Sequence, residues 1–230
     1  MTSGIPVLKH DPSLKPGIVR TALVWGLKMP GCPKTVSAPA YISELLEQVR
    51  AAGEGFLKPE RKAAVREMLR YGKYKPAGRS KPSSEYLIAA ALEGDFPLVS
   101  GPVDVNNAVS LEWGYPASLF DLELSGSDLL LRRGLPGESF VFNQSGQSID
   151  LQDLLCVCRL EGGSWVPCGN PVKDAMATKI RESTRSTAAV IYAPCSESKA
   201  DLAAAAVRFT ELLRSECGAS ESGYRISDED

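Results

Sequence analysis

From Pro82 to Leu131 the chain carries no lysine or arginine, whereas the adjoining segment 58–81 carries nine of them against two glutamates. The base-free segment holds eight acids. The whole chain is nearly neutral at −2, so the separation of charge, rather than its sum, sets up a field across the molecule. Its centre, Phe96–Asp121, opens on an apolar run that Pro102 closes, the pattern of an extended entry segment. Val105, Ala108, Val109 and Leu111 then recur at helical spacing, and Gly114 followed by Pro116 predicts the end of that helix. Inside it stand Asn106 and Asn107. Asparagine is a poor helix-interior residue, because its amide competes for backbone partners. Either these residues tie off the helix start together with Asp104, or their amides form the wall of a pocket for a small polar ligand.

An apolar fraction of 43% with 23% charged residues is ordinary for a soluble globular chain, and 230 residues can bury a core without disulfide or metal staples. No apolar run reaches the roughly 20 residues that span a bilayer, and the first residues lack a basic start followed by an apolar stretch. The expectation is a cytoplasmic protein with no membrane partner. The six cysteines (Cys32, Cys156, Cys158, Cys168, Cys195, Cys217) are scattered and His10 is the only histidine, so buried thiols are expected, with no metal and no cofactor. The same inventory argues against a histidine-based triad. A glycine-rich phosphate loop ending in Lys-Ser/Thr is absent, which argues against ATP-driven charging. Ser196 to Lys199 spells Ser-x-x-Lys, but it stands where a helix begins, and capping accounts for it.

Periodicity predicts strands within 5–28, helices over 37–52, 59–71, 83–92 and 198–217, and strands over 129–132, 139–142, 154–160 and 188–192. The fold class is therefore α/β of the mixed α+β kind, one domain over 1–217, followed by an acidic tail over 218–230 expected to be disordered. Helix 59–71 places Val65, Met68 and Leu69 on one side and Arg61, Lys62, Arg66 and Arg70 largely on the other. A Gly/Pro loop continues it with Lys73, Lys75, Arg79 and Lys81, interleaved with Tyr71 and Tyr74. A solvated face would look like this. So would an RNA contact, with cations for phosphates and rings for unpaired bases, and Arg66, Arg70, Lys73, Lys75, Arg79 and Lys81 are its candidates.

The order Val-Asp-Val-x-Asn-x-Val-x-Leu-Glu-x-Gly-x-Pro-x-x-x-Phe-Asp from Val103 to Asp121 resembles the editing module of the phenylalanyl-tRNA synthetase beta chain. That B-three/four, tRNA-binding domain also occurs as a free-standing protein. Lys-Pro-Ser-Ser-Glu at 81–85, Asn-Ala-Val-Ser-Leu at 107–111, Leu131-Arg132-Arg133, Gly137-Glu138 and 184–193 extend the similarity over about two-thirds of the chain. The resemblance implies a β-sandwich-like core with flanking helices, and a pocket where positioned water hydrolyses a wrongly charged aminoacyl-tRNA. Position by position, Asn106 stands where the family has threonine, Asn107 matches its asparagine partner and Pro116 matches its proline. Ser118 replaces a histidine, and near Val190 and Ile191 no acid matches the glutamate that grips a tyrosine hydroxyl. Selectivity for tyrosine thereby loses its main source. Amides, the Ser118 hydroxyl and the Asp121 carboxylate remain. Asn170 and Lys173 suit a ligand carboxylate or terminal phosphate, with a charged surface loop as the alternative.

The partners implied are tRNA or aminoacyl-tRNA, or a free amino acid, for a chain that is not a complete synthetase. Two functions stay open. One is hydrolysis of mischarged aminoacyl-tRNA in trans; the other is a non-catalytic module holding an amino acid, a small metabolite or a protein partner.

Overall fold

Strand pairing in the computed structural model, which describes residues 4–227, builds two four-stranded sheets. The first has the order β1 (Val7–His10), β4 (Asp128–Arg133), β7 (Leu155–Glu161), β8 (Ser164–Gly169). The second has the order β10 (Glu221–Ile226), β2 (Val19–Leu27), β9 (Thr187–Pro194), β3 (Ala117–Asp121). Pairing is antiparallel throughout, except that β1 runs parallel to β4 with Val7 opposite Asp128. A small hairpin of β5 (Ser139–Val141) and β6 (Ser148–Asp150) stands apart. All eight residues of β9 are buried, which is why its sequence is a continuous apolar run rather than an alternating one. Leu129 to Leu131 and Leu155 to Cys158 from one sheet share a core with Ala22 to Val24 and Ala188 to Ala193 from the other.

The helices are α1 (Ala40–Ala52), α2 (Pro59–Leu69), α3 (Ser83–Glu93), α4 (Gly101–Trp113), a single turn α5 (Leu122–Ser125) and α6 (Lys199–Ser215). Among them α4 has two apolar faces. Val105 and Val109 enter the main core, whereas Ala108 and Leu111 join Ile42, Leu45, Val49, Leu87 and Ala91 in a second core made by α1, α3 and α4. Burying side chains of this size stabilises by about 1.5–3 kcal/mol each, so α4 is held from both sides. Pro102 in its first turn is compatible with the helix start, and Gly114 ends it in the left-handed region at φ 70°. That φ is what favours glycine at the turn that aims β3; a Cβ there would in addition displace the Leu57 Cδ1 methyl, 2.3 Å away.

Three expectations are corrected. Residues 218–227 are not a disordered tail: Glu221–Ile226 pairs antiparallel with β2, and the Arg225 guanidinium lies 6.0 Å from the Trp25 ring centre. Residues 228–230 lie outside the described residues. The charged spelling of this segment hid an edge strand, whose outer side needs no apolar residues. The asparagines of α4 do not cap it either. Asp104 does the tying off, accepting from Val99 N at 2.7 Å and from the Thr35 hydroxyl, while Asn106 lies in the helix interior, buried. Residues 96–99 form an irregular approach, and the strand nearest that motif is β3, after the helix. At α6 the cap is Ser198, whose hydroxyl accepts from Ala200 N at 3.1 Å.

Candidate active site

Helical and strand periodicities decide which side chains meet between α4 and β3. Val103, Asn106 and Asn107 stand at i, i+3 and i+4 on α4 and so share one face, along which Val103 also packs against the main core. Ala117 and Leu119 alternate towards the same side from β3. Ser83 at the start of α3 and the segment 170–180 complete a cavity of about 330 Å³. That segment is anchored by Ser83 N donating to Pro171 O at 2.8 Å. It begins with a tight turn in which Asn170 Oδ1 accepts from Val172 N at 2.8 Å and from Lys173 N at 2.9 Å.

The turn lays Asp174 against β3. Its Oδ2 accepts from Leu119 N at 3.1 Å, and Oδ1 has no hydrogen-bond partner. Gly169 makes that approach possible, because a Cβ there would lie 2.6 Å from Asp174 Oδ1 and 2.4 Å from the Phe120 ring. Burial raises the Asp174 carboxyl from 3.8 to about 7; the Leu119 amide, the Ser118 hydroxyl, Lys179 and Lys173 pull it back only in part. Lys179, lowered by its own burial and held up by Asp174, also lines the cavity.

Asp174 Oδ1 is one of four polar atoms around this cavity that are occluded and without a partner. The others are Asn106 Oδ1, Asn170 Nδ2 and Ser83 Oγ. Leaving such a group unsatisfied costs about 1–3 kcal/mol, and four around one cavity mark where hydrogen-bonding capacity is held in reserve. A larger hollow of about 540 Å³ lies between the β5–β6 hairpin and β8, yet its charged side chains are engaged. Glu138 there is paired with Arg132 at 2.6 Å, and Arg159 donates to Leu124 O at 2.8 Å and to Glu161. The smaller cavity, with its four unpartnered polar atoms, is therefore the candidate site.

Of the residues singled out in the sequence, the structure brings Asn106, Asn107, Asn170 and Lys173 into this cavity. It does not bring in Pro116, Ser118 or Asp121. Ser118 is fully buried and does not line the cavity; its hydroxyl donates to Asn170 O at 3.1 Å, lies 3.0 Å from the Tyr192 hydroxyl and is near enough to Asp174 to lower the pKa of its carboxyl. The Pro116 carbonyl accepts from Tyr192 N. Asp121 is fully buried at the end of β3, where it caps α5 through Glu123 N and accepts from Thr184 Oγ1 at 2.7 Å and from Arg181 at 3.0 Å. It is a clamp on the 181–184 turn. Asp174 was the residue not foreseen, since one aspartate in a stretch with Lys173 and Lys179 looks like solvated surface.

The candidate RNA-binding residues divide. Arg66 is held by Glu85 through two bonds of 2.6 Å, and Arg70 pairs with Glu67 at 3.3 Å. Lys73, Lys75 and Arg79 are exposed and Lys81 half-buried, none in an ion pair among the described residues. Tyr74 is buried, its hydroxyl donating to Ser80 O at 2.6 Å, so it staples the loop instead of offering a ring. Tyr71 is exposed, but the Arg133 guanidinium lies 4.6 Å from its ring centre. The six cysteines are free thiols, and burial pushes Cys32 up to about 11 and Cys158 and Cys217 up to about 12. Among the described residues no cluster of three or more His, Cys, Asp or Glu could hold a metal, and no helix is long and apolar enough to cross a membrane.

No family model matches the chain, and no curated protein matches it significantly. Among solved structures it is similar to an N-terminal fragment of the phenylalanyl-tRNA synthetase beta-subunit from Pyrococcus horikoshii, with a TM-score of 0.48 and 9% identity over 97% of this chain. The chain spans about half of that fragment, 51% of its length. No residue of the cavity is assigned by so distant a likeness.

Proposed function

We propose that this protein takes the aminoacyl end of a tRNA into the cavity between α4 and the 170–180 segment and hydrolyses its ester. The observation that carries the reading is the convergence of four unpartnered polar atoms, one of them on a carboxyl raised to about 7, around a cavity of about 330 Å³. A general base works best when its pKa lies near the operating pH, and an aspartate of ordinary pKa would be a weaker one. In this reading Asp174 takes a proton from water as the water oxygen attacks the ester carbonyl carbon. The bond to the ribose oxygen then breaks, and the same carboxyl returns the proton to that oxygen. Asn170 Nδ2 and Lys179 supply donors for the charge that develops on the carbonyl oxygen, and Asn106 Oδ1 and Ser83 Oγ accept from the substrate's amino group.

The motif at 103–121 and the four cations from Lys73 to Lys81 agree with an RNA-borne substrate, since that loop runs straight into Ser83 at the cavity. A panel of mischarged tRNAs tests the proposal. Release of the amino acid faster than in buffer, lost in Asp174→Asn, is the expected result. No acceleration on any of them removes hydrolysis. A second reading, a non-catalytic holder of an amino acid or small anionic metabolite, is favoured by the two lysines beside the carboxyl. It predicts ligand binding with no ester cleavage.

A further inference from the structure

We propose that the rim of this cavity is a cradle for a terminal nucleotide, in which Tyr86 stacks the base and Lys173 takes the phosphate. The inference rests on the reading above for the ligand's direction, the ester pointing inwards. Lys173 Nζ lies 5.6 Å from the Tyr86 ring centre and 5.3 Å from that of Phe142. These side chains come from α3, the 170–180 segment and the loop after β5, three parts of the chain distant in sequence. Tyr86 is 52% exposed and stands one turn after the lining residue Ser83 on α3, beside the lining residue Lys173. Lys173 lines the cavity and forms no ion pair among the described residues. Rings hold an exposed ammonium only weakly, and a phosphate, as a charge-assisted acceptor, would draw it off them.

The other exposed ring beside a cation, Tyr71, is different. Its partner Arg133 is committed to Leu69 O at 3.2 Å and Asp153 O at 3.1 Å, so that pair is a fixed piece of the fold. At the rim the cation has no such anchor. A flat ring, a cation without an ion pair and a polar cavity beneath them match the three groups that the last ribose of a charged RNA carries: base, 5′-phosphate and esterified amino acid.

Ligand-observed NMR titration of the full chain with adenosine 5′-monophosphate, adenosine and ribose 5-phosphate tests this. The monophosphate should bind more tightly than either fragment. Tyr86→Ala should weaken it on the order of tenfold, to the level of ribose 5-phosphate, while Tyr86→Phe keeps it. Lys173→Met should bring it to the level of adenosine. Binding no tighter than that of ribose 5-phosphate, or equal loss in Tyr86→Phe and Tyr86→Ala, overturns the inference. Cleavage of an amino acid ethyl ester, which has no nucleotide, reads the cavity separately. Nucleotide binding without ester cleavage leaves the rim standing and removes hydrolysis. Ester cleavage without nucleotide binding does the reverse.

Discussion

The cavity and the basic arm beside it handle polar groups in opposite ways. In the cavity, Asn106, Asn170, Asp174 and Ser83 are packed so that one atom of each has no partner within the protein. In the arm, the groups that looked most available are partly committed: Arg66 to Glu85, Arg70 to Glu67, and Tyr74 to the Ser80 carbonyl. Burial explains the contrast. A polar atom in the interior can be kept free only where surrounding structure holds it, whereas an exposed cation forms whatever ion pair lies within reach. The gathering of unpartnered atoms around one cavity, rather than density of charge, therefore marks the candidate site here.

Asp174→Asn should produce the largest effect. Loss of a general base lowers ester cleavage by roughly 10²–10⁴-fold, while the arm and its affinity for tRNA are untouched. An unchanged rate would place the chemistry elsewhere.

The same residue should set the pH dependence. Between about pH 4 and 7 the folded protein holds the Asp174 proton that the unfolded chain has released, so this group makes stability fall as pH rises through that window. Asp174→Asn should abolish that trend and be the more stable protein by about 2–4 kcal/mol above pH 7, in denaturant melts. Cleavage by the wild type should rise with pH and level off above about 7. A flat rate profile would break the link between cavity burial and function.

On the arm, Glu85→Gln uncouples Arg66 from a nearly buried carboxylate. It should lower stability by about 2 kcal/mol without a matching loss of tRNA affinity, as urea melts and filter binding would report. Asn106→Leu should act in the other sense. It removes an unpartnered acceptor and should stabilise by about 1 kcal/mol while ligand binding in the cavity is lost. The smallest effects belong to Lys73→Ala, Lys75→Ala and Arg79→Ala. Each should weaken tRNA binding a few-fold and reduce the slope of log affinity against log salt by about 0.9. Salt-independent binding would take RNA away from the arm.

Much of this was legible along the chain. Helices end where Gly94 and Gly114 stand, and the apolar run of β9 reads as a strand buried on both sides because every one of its residues is. Asn106 and Asn107 drew attention because an amide inside a helix needs a partner, and that is a local rule. Asp174 gave no such signal. Its raised pKa depends on Gly169, on the Asn170 turn and on the Leu119 amide 55 residues earlier in the chain.

Ser118 and Asp121 were misleading for a related reason. A short polar residue in a strand has the same spelling wherever its side chain ends: Ser118 alternates away from Ala117 and Leu119, and Asp121 lies on their side but past the cavity, where Thr184 and Arg181 engage it. The order and type of most elements, β3 and the edge strand β10 excepted, were thus determined by the sequence, since periodicity, caps and turn residues act between neighbours a few positions apart. Which polar atoms stayed unpaired, and which cations found carboxylates, was decided only by the tertiary structure, because burial and long-range partners do not exist until the sheets and α4 have packed.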